Sequence, residues 1–273
     1  MRLSAFADEA STSLEGQIEA LKRNGIGLLE IRGVDGENIK DISTAKLNAI
    51  ASALKENEIR VWSIGSPCGK NLPSDSFDRQ IDSFKHICEA AEILGAKKIR
   101  MFSFFSKNEC EVFKGLEAFL KVTPSGITLC HENEKGIFGD DWQSCLKIHE
   151  KFPEIRAVFD PANFVQCDVD TIEAWQALKP YVDYLHIKDA LKNKRVVRAG
   201  YGNGNLEYII NEYAKMGGDV MTLEPHLMDF CGLSELENGE SVSNIPVYKT
   251  TDEAFDAATE ALKNILIRSK LWK

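Results

Sequence analysis

The sequence predicts a single (β/α)8 barrel of the α/β class, and three observations carry that expectation. Short apolar or alternating runs recur eight times, each followed by a longer stretch whose apolar residues have helical spacing. Regular βα alternation calls for parallel strands joined by crossover helices. The 273 residues suit one such barrel, commonly about 250 residues long. No compositional break marks a linker, so residues 1–273 read as one domain. An open doubly wound sheet, the alternative, would carry a phosphate fingerprint at its first turn, and Phe6-Ala-Asp-Glu-Ala10 has none.

The first unit is Leu3 to Ala7, followed by Leu14, Ile18 and Leu21 at helical spacing and a stop at Asn24-Gly25. Leu28 to Arg32 precedes Leu47, Ile50 and Leu54. Arg60 to Gly65 precedes a helix through Phe77, Ile81, Phe84, Cys88, Ala91 and Leu94 that stops at Gly95. Lys98 to Phe102 leads to Val112–Leu120, and Ile127 to His131 leads to Trp142, Cys145, Leu146, His149 and Phe152. Arg156 to Asp160 leads to Ile172–Leu178, and Val182 to His186 leads, after a long loop, to Leu206–Tyr213. The last run, Val220 to Glu224, is followed by a Gly-, Ser- and Asn-rich loop and a helix through Phe255, Ala258, Leu262 and Ile265. Thr250 and Glu253 form a capping box at its start. The loop at 227–250 is expected to be a lid or a subunit contact, the latter allowing a homo-oligomer.

Composition narrows the function. Asp+Glu number 42 against 33 Lys+Arg, a formal charge of −9. Nucleic-acid binders need a basic face to displace counterions, and the only cluster, Lys192, Lys194, Arg195 and Arg198, reads equally well as solvated loop charge. Seven cysteines (Cys68, Cys88, Cys110, Cys130, Cys145, Cys167, Cys231) without a C-x-x-C pair argue against a disulfide framework or a thiolate zinc site. No apolar run reaches the roughly 20 residues of a membrane helix, and Asp8 and Glu9 fall where a signal peptide would be apolar. A cytoplasmic protein with neither nucleic-acid nor membrane partners is expected.

In such a barrel the functional face lies at the C-terminal ends of the strands. The last four runs end in Glu132, Asp160, His186 and Glu224. Carboxylates gathered in one mouth repel unless something positive lies between them, and a divalent metal is the simplest candidate. One imidazole with three carboxylates is a hard donor set suited to Mn²⁺, Mg²⁺ or Co²⁺; pairing with nearby Lys or Arg is the structural alternative. Side chains two apart share a strand face, so Glu134 points the same way as Glu132 and reads as a support for a ligand or a substrate contact, while His131 points away and reads as structural. Lys188 sits with His186, and His226 with Glu224. Glu30 and Arg32 share a face and either pair with each other or meet a polyhydroxyl substrate. His149 lies on an apolar helix stripe, and His86 off one and is expected to be exposed. Gly200-Tyr-Gly-Asn-Gly204 lacks the G-K-[ST] ending of a phosphate loop and reads better as a turn before a helix.

At these residues the chain resembles the xylose isomerase-like TIM barrel family, which includes ketose 3-epimerases and, distantly, type-IV AP endonucleases. Matching segments span nearly the whole sequence: Phe6-Ala-Asp-Glu9, Leu29-Glu-Ile-Arg-Gly33, Gly65-Ser-Pro-Cys-Gly-Lys70, His131-Glu-Asn-Glu134, Phe159-Asp-Pro-Ala-Asn163, His186-Ile-Lys-Asp189 and Leu223-Glu-Pro-His226. The resemblance implies that Glu132, Asp160, His186 and Glu224 hold one divalent ion, Mn²⁺ first, with Mg²⁺, Co²⁺ or Zn²⁺ as alternatives. It also implies that Glu132 and Glu224 form the acid/base pair. Asn163 stands where ketose epimerases often have a histidine, so it could hydrogen-bond a hydroxyl but not take a proton. Arg198, two residues before Gly200, matches a substrate-binding arginine of the family. The implied activity is sugar or sugar-phosphate isomerisation or epimerisation by proton abstraction next to a carbonyl. Lys188 and His226 would then orient oxygens, and Phe6 or Trp62 could pack on the sugar or simply belong to the core. A dehydratase of an inositol- or shikimate-like polyol is the alternative. A nuclease would need more histidines and a basic groove, and a non-catalytic sugar-binding barrel would not need all four ligands.

Overall fold

Eight short strands that alternate side chains between two faces can direct one face to a barrel interior and the other to helices, and closure removes unpaired sheet edges. The computed structural model describes residues 1–73, 77–230 and 248–272. Its barrel strands are β1 Arg2–Ala5, β2 Leu28–Ile31, β3 Arg60–Gly65, β4 Lys98–Met101, β5 Thr128–Glu132, β6 Arg156–Phe159, β7 Val182–Ile187 and β8 Val220–Leu223. They form one closed parallel barrel in the order β1-β8-β7-β6-β5-β4-β3-β2. The seam pairs Arg2 with Val220 through Ala5 with Leu223, bringing the residues after β1 beside those after β8.

The helices are α1 Leu14–Arg23, α2 Thr44–Glu56, α3 Phe77–Leu94, α4 Glu109–Val122, α5 Trp142–Lys151, α6 Pro161–Gln166, α7 Thr171–Leu178, α8 Leu206–Lys215 and α9 Thr251–Arg268. Their apolar stripes, including Leu21, Leu47, Ile50, Phe84, Phe119, Ile148, Trp175, Ile209 and Leu262, are buried in the main core. The expected cap of α9 is present: Thr250 Oγ1 accepts from Glu253 N at 3.1 Å, and Glu253 Oε2 accepts from Lys249 N at 2.8 Å.

Helix α6 was not anticipated. Asp160 is its N-cap and Pro161 its first residue, a pairing that starts a helix even over six residues because the carboxylate accepts an orphan N–H and proline presets φ. Two small hairpins, 33–34 with 37–38 and 189–190 with 196–197, also lie above the barrel; their strands are too short to show periodicity.

His149 is a packing residue, as its stripe predicted: it is buried, with Nδ1 3.0 Å from the Ile155 carbonyl and its ring stacked on Tyr181. His86 departs from the expected exposure. It is half-buried and its Nε2 lies 2.8 Å from the Ile42 carbonyl, a contact made across to the loop before α2. Trp62 lies under Arg2 and Lys98, the first residues of β1 and β4, and so at the end of the barrel away from the strand C-termini. Of the long segment at 227–250, residues 231–247 lie outside the described residues. No described helix is long and apolar enough to cross a membrane.

Candidate metal centre

Glu132 is the last residue of β5, Asp160 follows β6, His186 is the penultimate residue of β7, and Glu224 follows β8. All four side chains are buried, and one ligand atom from each lies within 4.8 Å of the others. The strand ends therefore bring together the four residues that the sequence singled out. Three carboxylates out of water need compensation, and the cations around them are specific. Lys188 Nζ lies 2.7 Å from Asp160 Oδ2 and 2.6 Å from Glu224 Oε2. His186 Nδ1 lies 2.9 Å from Glu132 Oε1, and Arg100 Nε lies 3.1 Å from Glu132 Oε2. Arg32 reaches Glu224 Oε1 at 3.3 Å.

The electrostatics follow from that packing. Burial pushes the Asp160 carboxyl up from 3.8 to about 6, with Lys188 opposing and the Glu132 and Glu224 charges adding. Burial would also raise Glu224, but Lys188 and His226 prevail and hold it well below the usual carboxylate range. Burial would lower His186, yet Glu132 and Glu30 lift it to about 10. The arrangement thus concentrates positive charge among the carboxylates, as a divalent ion would.

The residues fit such an ion. Asp160 Oδ1 caps α6 by accepting from Asn163 N at 3.0 Å. Its Oδ2 is buried with the Lys188 ammonium 2.7 Å away, so a cation already stands against this carboxylate where a divalent ion would bind. Oxygen donors and one imidazole are the set that Mn²⁺, Mg²⁺, Co²⁺ or Zn²⁺ accept.

The surrounding residues depart from expectation in instructive ways. Glu30 and Arg32 do not pair with each other. Glu30 lies beneath the cluster, accepting from Tyr184, Thr222 and His186. Arg32 grips Asp8 through two hydrogen bonds at 2.8 and 3.0 Å and reaches Glu9 at 3.2 Å, between the rings of Phe6 and Phe230. Asn163 Nδ2 donates to the Asn133 carbonyl at 2.9 Å and to Glu132 Oε1 at 3.3 Å, so its amide orients the Glu132 carboxylate. Glu134 pairs with Lys70 at 3.0 Å; burial would raise its carboxyl, but Lys70, Lys135 and Lys188 together lower it. His226 Nε2 lies 3.4 Å from both Glu9 and Glu224, and Glu9 Oε2 accepts its backbone N–H at 2.6 Å. Phe6 is buried with its ring edge-on to His186.

Arg198 is not brought into the cluster; it stacks on Tyr201 with its guanidinium 4.4 Å from the ring centroid. The glycine-rich stretch after it proves to cradle an anion after all, but one supplied by the protein. Asp189 accepts from the backbone N–H groups of Ala190, Gly200, Gly202 and Gly204 at 2.9 to 3.0 Å. His131 points outward as predicted, with Nε2 2.9 Å from Ser103 Oγ.

Sequence reading missed Glu9, Arg100 and Lys70 as members of the site. A buried cation was called for by the acidic rim, and Arg100 near the end of β4 was the available signal. Glu9 gave none, because its place beside His226 depends on the β1–β8 seam.

A family profile described as xylose isomerase-like TIM barrel matches residues 18–245. Among solved structures, the chain is similar to a D-allulose 3-epimerase from Methylomonas sp. at 14% identity and TM-score 0.76, covering 97% of this chain and 98% of that one. It is similar to the probable 3-DHS dehydratase AsbF from Bacillus anthracis at 16% identity and TM-score 0.72, covering 97% and 99%. It is also similar to the IOLI protein with a bound zinc atom at 17% identity and TM-score 0.71, covering 98% and 99%. A search of curated proteins found no match.

Proposed function

Because this chain belongs to the xylose isomerase-like TIM barrel family, we propose that it is a divalent-metal-dependent sugar or sugar-phosphate isomerase or epimerase. The observation that carries this reading is the pair Glu132 and Glu224, at the ends of separate strands in one buried ligand set, with Arg100 beside the first and Lys188 beside the second. Glu132, Asp160, His186 and Glu224 would hold the ion, which when bound supplies Lewis acidity toward a substrate's carbonyl and neighbouring hydroxyl oxygens. Mn²⁺ is our first assignment, with Mg²⁺, Co²⁺ and Zn²⁺ as alternatives; the zinc of the IOLI structure supports keeping the last.

One glutamate removes the proton from the carbon next to the carbonyl, and the other returns one to the opposite face or to the neighbouring carbon. Glu224 is suited to accept, since Lys188 and His226 keep it ionised. Lys188 and Arg32 hold that carboxylate in place, while Arg100 and Asn163 hold Glu132. Phe6 and Phe102 pack against the Arg100 guanidinium at 5.6 and 4.4 Å. Glu134 and His226 stand at the margin as substrate contacts, and Arg198 would join them only by movement of its loop.

The similarity to the probable dehydratase favours a second reading, in which the same abstraction is followed by loss of hydroxide from a polyol. One experiment separates them: the metal-loaded protein is incubated with ketoses and cyclic polyols in heavy water. Exchange of the proton next to the carbonyl in a ketose, lost in Glu132→Gln or Glu224→Gln, supports the isomerase. Dehydration of a polyol without ketose exchange supports the alternative, and exchange undiminished in both variants removes the acid/base assignment.

A further inference from the structure

We propose that Glu30 is a positioning residue for the metal, holding the Nε2–H of His186 so that Nδ1 is presented to the other three ligands. The inference rests on the metal-dependent reading above and adds a residue outside its ligand and acid/base roles.

Glu30 is fully buried on the inner face of β2. Its Oε1 accepts from the Tyr184 hydroxyl at 2.8 Å. Its Oε2 accepts from Thr222 Oγ1 at 2.7 Å and from His186 Nε2 at 3.2 Å. Tyr184 and His186 are two apart on β7, as are Thr222 and Glu224 at the end of β8, so each pair shares a strand face. The carboxylate is thus tied to the layer beneath two ligand strands, and Ser63, 3.1 Å from the Tyr184 hydroxyl, extends the network to β3.

The two edges of the His186 ring face different groups. Nδ1 is turned toward the ligand set, 2.9 Å from Glu132 Oε1 and 3.7 Å from Glu224 Oε2. Nε2 is turned toward Glu30. Phe6 and Tyr184 flank the ring at centroid distances of 5.2 and 5.5 Å, fixing its plane. A carboxylate accepting one ring N–H leaves the lone pair on the other nitrogen and strengthens it as a donor to a cation. The cation closest to Glu30 is the His186 imidazole, which shares Oε2 with Thr222.

The direct test uses the wild-type protein loaded with Zn²⁺ and labelled with ¹⁵N-histidine. Long-range ¹⁵N–¹H NMR is expected to show His186 protonated at Nε2 and zinc-bound at Nδ1; the reverse assignment overturns the proposal. A second test titrates Zn²⁺ by calorimetry into Glu30→Gln and Thr222→Val, each checked for folding by circular dichroism. Glu30→Gln should lose about 10- to 100-fold in affinity, and Thr222→Val, which spares the imidazole contact, less than about 3-fold. Equal losses in both variants would make the network merely structural and refute the assignment. If wild-type protein binds neither Zn²⁺ nor Mn²⁺, the metal-dependent reading falls and this inference with it; ion binding through Nε2 overturns this inference alone.

Discussion

Replacing Asp160 by asparagine should make the metal-free protein more stable and unable to hold its ion. The side chain is fully buried, and burial together with Glu132 and Glu224 raises its carboxyl from 3.8 to about 6 despite Lys188. A carboxyl raised on folding binds its proton more tightly in the native state than in the unfolded one. Stability is therefore full below about 4, falls as pH rises through the window up to about 6, and stays reduced above it. At roughly 1.4 kcal/mol for each pH unit, ionised Asp160 costs about 3 kcal/mol at neutral pH. Asparagine keeps the shape and an oxygen to cap α6, and it carries no charge. Urea unfolding of chelator-treated wild type and Asp160→Asn, followed from pH 4 to 8, measures the difference. The variant's advantage should be near zero at pH 4 and approach about 3 kcal/mol by pH 7.5. Calorimetric titration with Mn²⁺ should show no binding by the variant. A stability difference independent of pH, or unchanged Mn²⁺ binding, would refute the assignment of this carboxylate as a strained ligand.

Other consequences follow from the same geometry. Arg100→Met removes one of the two cations that pair with Glu132 and the donor to the Ser66 carbonyl at 2.7 Å; it should cost about 2–4 kcal/mol by urea unfolding, since two charge-assisted contacts of a buried group are lost. Gly202→Ala would place a Cβ 2.3 Å from Asp189 Oδ1 and 2.5 Å from the Ala190 carbonyl. Loss of one or two of the four bonds to Asp189 should lower stability by about 2–4 kcal/mol, and hydrogen exchange should locate the loosening at residues 189–204. Burial lowers His149 from 6.5 to about 4. Below 6.5 the unfolded chain takes up a proton that the native state refuses, so this residue's contribution to stability should fall by about 3 kcal/mol from pH 6.5 to 4, opposing that of Asp160, and His149→Gln should be relatively more stable at the acid end. An identical pH dependence in the two proteins would show that another group governs it.

Much of the barrel was legible before folding because strand and helix periods are local. Runs such as Lys98 to Phe102 and the Phe84, Cys88, Ala91 stripe announce themselves within a few residues. The metal candidates were legible for a related reason: the ends of successive apolar runs must share one rim, and Glu132, Asp160, His186 and Glu224 are placed there. Helix α6 was overlooked although its Asp160-Pro161 start was in view, because six residues are too few to show a period. Of the two readings given for Glu30 and Arg32, the mutual pair is not formed: each finds other partners. Alternation says which face a side chain occupies and nothing about which strand lies across from it.

By itself, then, the sequence determined the eight barrel strands, the main helix after each and the rim on which the acidic residues and His186 stand, since these depend on neighbours two to four positions apart. The tertiary structure decided the partnerships. Closure of β1 against β8 brings Arg32 to Glu224 and Glu9 to His226, and the stacking of interior layers places Glu30 beneath His186. Those contacts join residues as many as 217 positions apart, and only the closed register of eight strands sets their distances.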